Sequence, residues 1–255
     1  MNRQDFIDHI ATWYVPQNMV ISVAGNTTHK AVVEETHKLF GKLTGDAAPS
    51  IEPAKEGRPE RNIIVENRDI KQSNLGMSLR AVSRTDPDRY PLTILNAVLG
   101  RGMSSRLFKE VRERRGLAYS IGSGVTRYND TGVLSISAGV TAEHVTETTQ
   151  VIKAELMKLV DELVGDKEMT KSRDYTTGSF RLSLESPMAL AQYTGELLLL
   201  LGEIDLIDDI VERLKAVTAE DVQRVAQRLF RDDNLSMSLV GPGADADELA
   251  KALAA

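Results

Sequence analysis

The same succession of helix, turn, strand and glycine is predicted twice in this sequence, at a constant offset of 216 residues. The first copy runs from Asp5 to Gly25, and the second runs from Asp221 to Gly241. Each copy has apolar residues at helical spacing, then an asparagine, then a short apolar run that ends at the glycine. A duplicated domain whose first copy lacks everything before its last helix and strand would explain both copies. Because few matched positions are identical, two ordinary helix–strand units are the alternative.

Composition narrows the function classes that the chain can serve. The chain has 255 residues, no cysteine and a net charge of −6 at pH 7. The acidic excess argues against a nucleic-acid-binding surface, and the lack of cysteine excludes disulfides and thiolate metal sites. No apolar run approaches the roughly 20 residues of a membrane helix, and the chain opens on polar residues instead of a signal peptide. We therefore expect a cytoplasmic protein that binds neither nucleic acid nor a membrane.

The N-terminal part is predicted to hold two helices and one buried strand. A helix over Asp5–Tyr14 is ended by Pro16, and the strand follows at Met19–Ala24. Thr28 is predicted to cap the second helix, with its apolar residues Val32, Val33, Leu39 and Phe40 facing inward. Residues 45–61 carry glycine, proline and charge without periodicity, which is typical of a linker.

The remainder predicts an α+β domain in which a hairpin-rich, mostly antiparallel sheet has helices packed on one face. The strongest single features are a hairpin formed by Tyr119–Arg127 and Gly132–Val140 and a capping box at Thr218 and Asp221. We expect residues 1–44 to be the remnant of a first domain, 45–61 a linker, and 62–255 the second domain. Further strands are predicted at Asn62–Val65, Leu75–Ala81 and Leu235–Val240, and further helices at Pro91–Leu99, Lys167–Glu185 and after Ser186.

Residues that could carry chemistry are densest between Gly100 and Tyr119, where five arginines and three glycines occur. Arg112 lies near the end of a predicted helix, and Tyr119 follows the turn at Gly116. A guanidinium and a phenol placed near each other can both donate hydrogen bonds to a developing oxyanion. The alternative is an arginine-rich, solvated helix end that interacts favourably with the helix dipole. None of the four histidines forms an H-E-x-x-H or H-x-x-E-H motif, so the sequence predicts no metal site.

Four motifs in this region resemble those of pitrilysin/insulinase zinc peptidases, especially the bacterial single-chain relatives of mitochondrial processing peptidase. They are Thr85-Asp-Pro-Asp-Arg-Tyr90, Leu95-Asn-x-x-Leu-Gly100, Gly102-Met-Ser-Ser-Arg-Leu-Phe108 and Arg112-Glu-x-x-Gly-Leu-Ala-Tyr119. The resemblance implies a processing-peptidase-like metallohydrolase fold, in which a first domain binds zinc and a homologous second domain holds the substrate. It also implies that Arg112 and Tyr119 hold the substrate and stabilise the tetrahedral intermediate.

The resemblance leaves two functional hypotheses open for this chain. In the first, the chain is the substrate-binding half of a zinc metalloendopeptidase that cleaves unfolded peptides. This chain alone is then inactive and binds no cofactor, because the zinc belongs to the missing half. In the second, the chain is a non-catalytic partner or scaffold subunit. Either way, the expected partners are a peptide, a zinc-bearing domain or homologous subunit, and a second copy in a homodimer.

Overall fold

The computed structural model describes residues 1–55 and 63–254, and these form two compact units. The first unit contains Met1–Pro53 and Ser179–Asp209, and the second contains Ala54–Gly178 and Ile210–Ala255. The predicted boundaries of the homologous domains stay a prediction, and residues 56–62 of the predicted linker and strand lie outside the described residues. The described helices are α1 (Arg3–Trp13), α2 (His29–Phe40), α3 (Arg89–Gly100), α4 (Val145–Asp161), α5 (Asp166–Ser183), α6 (Pro187–Leu201), α7 (Ile207–Ala216), α8 (Ala219–Leu229) and α9 (Ala246–Ala254). The strands are β1 (Ile63–Glu66), β2 (Ser73–Ala81), β3 (Ala118–Arg127), β4 (Gly132–Val140) and β5 (Leu235–Val240).

The second unit is built on a five-stranded sheet in the order β1-β5-β2-β4-β3. Among the described strands, only the β1–β5 pair is parallel, and the β2–β5, β2–β4 and β3–β4 pairs are antiparallel. Along β2 the side chains of Leu75, Met77 and Leu79 are almost fully buried, whereas Asn74 and Arg80 are exposed. This alternation of buried and exposed side chains shows that one face of the sheet is covered by helices. The predicted α+β fold, including the hairpin of β3 and β4, is therefore confirmed.

Helix α8 shows why the sequence predicted this helical layer. Its apolar residues Val222, Val225, Ala226 and Leu229 recur at helical spacing, and all four are buried. The predicted capping box is present, because the Thr218 side chain accepts from the backbone N–H of Asp221 and the Asp221 carboxylate accepts from that of Thr218. Helix α8 packs on α3 and α4, and α3 in turn packs on β3.

An ion-pair network joins the start of α3 to α8. The carboxylate of Asp88 accepts from Arg224 at 2.6 Å and from Arg228 at 2.7 Å. Arg228 also donates to Asp86 at 3.0 Å. Burial by itself would raise the pKa of Asp88, but the hydrogen bonds from Arg224 and Arg228 outweigh it and lower that pKa. Both aspartates come from the Thr85–Tyr90 motif, so one role of that motif is to fix α3, which leads into the arginine-rich segment.

The first unit differs from its predicted packing in two respects. The prediction of a strand over Met19–Ala24 is wrong, because the segment pairs with no strand among the described residues. The predicted inward side of α2 is wrong for Val33, Leu39 and Phe40, which are exposed, whereas Val32 is half-buried. Neither α1 nor α2 has a single buried side chain. The same physical reason applies to both errors: the described chain offers this unit no sheet to pack on.

The two copies of the sequence repeat nevertheless have the same local structure. Both helices start with a capping box and are followed by a 3₁₀ turn, after which the chain starts in extended conformation at Met19 and at Leu235. Each copy ends at a glycine with positive φ, 147° at Gly25 and 127° at Gly241. In the first copy the Asn18 amide donates to the Trp13 carbonyl at 3.0 Å. In the second copy the Asn234 amide donates to the Leu229 carbonyl at 2.8 Å. Such detailed agreement at a fixed offset favours duplication over coincidence.

Candidate functional site

The candidate site lies on the segment that connects α3 to β3, and two glycines set its start. Helix α3 ends at Gly100, where a Cβ would overlap the side chain and backbone nitrogen of Ser123. Gly102 has a φ of +87°, and a Cβ there would lie 3.3 Å from the Tyr175 ring. Only glycine combines this backbone conformation with so close an approach. The helix that the sequence predicts over Pro91–Leu99 therefore ends where these glycines begin.

Arg112 lies on a π-helix, Phe108–Arg114, where the sequence predicted an ordinary helix. The buried side chains of Leu107 and Val111 anchor this turn in the core of the second unit. The turn is closed by the Leu117 N–H, which donates to the Val111 carbonyl at 2.9 Å. π-Helical turns are rare and occur frequently at functional sites. A single π-helical turn does not visibly change the spacing of apolar residues in a sequence, so the sequence could not predict the π-helix at Phe108–Arg114.

The arginines of this segment are not equivalent. Arg106, Arg114 and Arg115 pair with glutamates: Arg106 with Glu168 at 2.8 Å, Arg114 with Glu110 at 2.6 Å, and Arg115 with Glu147 at 3.7 Å. Arg112 pairs with no carboxylate among the described residues, and its guanidinium carbon lies 5.1 Å from the centroid of the Phe108 ring. A guanidinium held over an aromatic face keeps its N–H donors available to another group.

Tyr119 lies at a bulge near the start of β3. Ala118 pairs with Val140 and Ser120 pairs with Gly139, so Tyr119 is the extra residue on its strand. Its side chain is 68% exposed, although Ala118 before it is buried. β-Bulges re-aim side chains and are over-represented beside active sites. The sequence predicted the strand and the tyrosine but gave no signal for the bulge.

The structure places Arg112 and Tyr119 at opposite ends of one irregular segment of the second unit. Between them lie the end of the π-helix and Gly116, which has a φ of +66°. The two side chains make no hydrogen bond or ring contact with each other. Both therefore present unused hydrogen-bond donors at the surface, which is the chemistry that recognises a carbonyl or an oxyanion.

The described residues do not fit a zinc site. No group of three or more histidine, aspartate or glutamate side chains within residues 1–55 and 63–254 is arranged to hold a metal ion. His29 and His37 both lie on α2, and no carboxylate completes a ligand set with them. In the same ranges, no helix is both long and apolar enough to cross a membrane.

Residues 1–175 match the sequence pattern of the family described as "Peptidase M16 inactive domain". Over 94% of its length the chain is 32% identical to the uncharacterized zinc protease YmxG of Bacillus subtilis, and over 90% it is 33% identical to the uncharacterized zinc protease SCO5738 of Streptomyces coelicolor. The chain therefore belongs to the M16 family of peptidases, the pitrilysin/insulinase family that its motifs resemble. It spans 58% and 51% of these two relatives.

Solved structures show the same fold. A protease from Helicobacter pylori superposes with a TM-score of 0.85 at 21% identity, over 95% of this chain and 59% of that protein. A peptidase M16 inactive domain from Pseudomonas fluorescens gives 0.77 at 22% identity, over 86% and 53%. Complex III2 from Candida albicans gives 0.84 at 17% identity, over 99% and 63%. At these identities the likeness concerns the fold alone.

Proposed function

We propose that this chain is the substrate-binding half of a zinc metalloendopeptidase that cleaves unfolded peptides. The observation that carries the proposal is the irregular segment from Arg112 to Tyr119. This segment contains the end of a π-helix, a glycine in the left-handed conformation and a β-bulge. Together they present one arginine without a carboxylate partner and one exposed tyrosine. Strained or irregular backbone of this kind persists where its side chains are needed.

The proposed role of both side chains is to stabilise negative charge on the substrate. When a peptide carbonyl is attacked, its oxygen becomes an oxyanion that accepts stronger hydrogen bonds than the carbonyl did. The guanidinium of Arg112 would supply charge and N–H donors, and the Tyr119 hydroxyl would supply one more donor. In this proposal zinc would be held by the other half of the complete enzyme, as the names of the two bacterial relatives, both zinc proteases, suggest. A cytoplasmic location for that enzyme stays a prediction.

The first unit provides the surface on which the zinc-bearing half would dock. Its exposed apolar side chains include Phe6, Ile10, Ile21, Val23 and Phe40. Phe6 and Ile10 lie one turn apart on α1, and exposed apolar side chains that lie together mark an interaction site. In the second copy of the repeat, β5 pairs with β1 on one side and β2 on the other. The partner proposed for Met19–Ala24 is therefore a sheet that offers it the same two neighbours.

The second candidate function is a scaffold subunit that performs no catalysis. It is supported by the likeness in fold to Complex III2 from Candida albicans. A scaffold would need the apolar surface of the first unit but not the unpaired Arg112 or the bulged Tyr119. The peptidase role accounts for both features, and we therefore favour it.

Measurements of metal content and peptide hydrolysis test whether this chain binds the substrate while the other half binds zinc. The chain by itself should hold no zinc after dialysis and should not cleave a quenched fluorescent peptide. Co-expression with the upstream half of the protein should give a complex with about one zinc that cleaves the peptide. Zinc bound stoichiometrically by the chain alone, or an inactive zinc-loaded complex, would overturn the proposal. The second of these results would favour the scaffold.

A further inference from the structure

A cavity of about 500 Å³ lies in the second unit, between the arginine-rich segment and helices α4 and α5. This basic cavity lies within the range of about 300 to 1,000 Å³ typical of small-molecule sites. Its lining includes neither Arg112 nor Tyr119, so it is separate from the candidate site. Arg101 and Ser104, which flank Gly102, and the ring of Tyr175 form part of its wall.

The charge of the basic cavity is opposite to that of the whole chain. Seven cationic and four carboxylate side chains line it, an excess of three positive charges in a chain whose net charge is −6. A local excess of one sign of charge in a low-dielectric cleft focuses the field and concentrates oppositely charged ligands. The residues that line the cavity include Arg101, Arg106, Lys109, Arg114, Lys158, Lys167, Lys171, Glu110, Glu155, Glu162 and Glu168.

Three of these cations are already neutralised, and they form the frame of the cavity. Arg106 makes two hydrogen bonds to Glu168, at 3.1 and 2.8 Å, and links the segment to α5. Arg114 pairs with Glu110, and Lys158 pairs with the buried Glu155, both at 2.6 Å. These pairs hold the wall in place and leave little charge for a ligand.

Four other cations face the cavity without an ion pair to any described residue: Arg101, Lys109, Lys167 and Lys171. The Arg101 guanidinium is held 6.0 Å from the centroid of the Tyr175 ring. The Ser172 side chain also lines the cavity, is only 7% exposed, and its hydroxyl makes no hydrogen bond within the described ranges. Glu162 also lines the cavity without an ion pair to any described residue. The unpaired groups therefore carry a net excess of three positive charges, next to an unused, nearly buried hydroxyl donor.

We propose that the basic cavity binds a polyphosphate anion, either free pyrophosphate or the phosphates of a nucleotide. Ammonium and guanidinium groups that converge from several elements match the charge of such a ligand, and a hydroxyl donor supplements them. A single monovalent carboxylate would leave most of the four cations without a partner. Recognition here uses side-chain charge. It does not use a glycine-rich loop, since Gly100 and Gly102 serve the helix end and the contact with Tyr175. The proposal goes beyond the peptidase function and does not depend on it.

Calorimetric titration of the chain with sodium pyrophosphate at low ionic strength tests the proposal. We expect saturable binding of one ligand that weakens as sodium chloride is added. The double variant Lys109→Ala/Lys171→Ala should bind at least about tenfold more weakly, because each lysine removed loses a charge-assisted contact. The matched control is Lys215→Ala/Lys251→Ala, which removes the same charge from α7 and α9 outside the cavity and should bind normally. Lys109→Arg/Lys171→Arg should retain binding.

Comparison of ligands separates the two sources of polyphosphate. Tighter binding of ATP than of pyrophosphate would identify the nucleotide, and equal or weaker binding would identify free pyrophosphate. Three results would overturn the proposal: no saturable heat at millimolar pyrophosphate, equal losses in the cavity and control variants, or tighter binding of an oligoglutamate peptide than of either phosphate ligand.

Discussion

At the scale of single residues, the surroundings of each charged side chain decide its role. Arg224 and Arg228 hold aspartates and join two helices, whereas Arg112 lies over a phenyl ring with its donors unused. The sequence shows all of them as the same residue type. What separates them is whether tertiary structure brings a carboxylate within reach, and sequence spacing does not reveal that.

The buried carboxylate of Asp88 gives a prediction about pH. Because its pKa is lowered in the folded protein, its contribution to stability is present above the unfolded value of about 3.9. That contribution is lost as the pH falls through the lower folded value. Asp88→Asn should therefore lower the free energy of unfolding by about 1–3 kcal/mol at pH 7, and the difference from the wild type should shrink below pH 4. Urea denaturation at pH 7 and pH 3 measures both quantities.

The control for this experiment is Asp174→Asn, at an exposed aspartate of α5 in the second unit. It should change the free energy of unfolding little at either pH. An effect of Asp88→Asn that is equally large at both values would mean that its charge is not what stabilises the fold.

At the scale of elements, the two copies of the repeat show which hydrogen bonds are lost when a neighbouring strand is absent. The Asn234 side chain is buried and bonds to three backbone groups: the carbonyls of Leu229 and Arg80 and the N–H of Arg80 in β2. Asn18 makes the equivalent of the first bond only. The other two have no counterpart because no strand lies beside the first copy in the described chain.

This pair of asparagines gives a matched prediction of stability. Asn234→Ala should lower the free energy of unfolding by about 2–4 kcal/mol, because it leaves buried backbone groups without partners. Asn18→Ala should change it by less than about 0.5 kcal/mol in the isolated chain. Chemical denaturation compares the two. A large loss for Asn18→Ala in the isolated chain would show that the first unit is already complete without a partner.

The difference between elements that have packing partners in this chain and elements that do not explains how far the sequence could predict the fold. The periodicity of apolar residues and the capping residues correctly predicted β2, the β3–β4 hairpin, α8 and β5. These predictions succeeded because the elements pack on partners within the chain. The strand prediction at Met19–Ala24 failed because a strand is defined by its neighbours, which the local pattern does not contain. In the candidate site, the resemblance to the family implied Arg112 and Tyr119, and their role stays a prediction. The π-helix that carries Arg112 and the bulge at Tyr119 were not predictable, because both depend on tertiary packing that the local sequence does not show.

At the scale of the whole molecule, the exposed apolar surface of the first unit is the main sign of an absent partner. Phe6 is 60% exposed on a helix that has no buried residue. Burying one such side chain contributes roughly 1.5–3 kcal/mol, so several of them suffice for a stable interface. The span of 51–58% of the two bacterial relatives leaves room for that partner in a longer protein.

Co-purification with the upstream half tests whether this surface is the docking face. Phe6→Ser should weaken the complex by at least about tenfold, because its burial energy is lost. Leu163→Ser, at a residue 51% exposed in the second unit, should have no effect. If both variants bind the upstream half as tightly as the wild type, the apolar face of α1 is not the interface.

Arg112 and Tyr119 are proposed to act on the transition state, and turnover by the full-length protein measures that role. With a quenched fluorescent peptide, Arg112→Ala and Tyr119→Phe should each lower kcat by roughly a hundredfold, with KM, zinc content and folding nearly unchanged. Arg115→Ala removes a neighbouring arginine that is paired with Glu147, and kcat should stay within about twofold of the wild type. If Arg112→Ala and Arg115→Ala gave the same small effect, the catalytic assignment would be wrong and the scaffold function would be favoured.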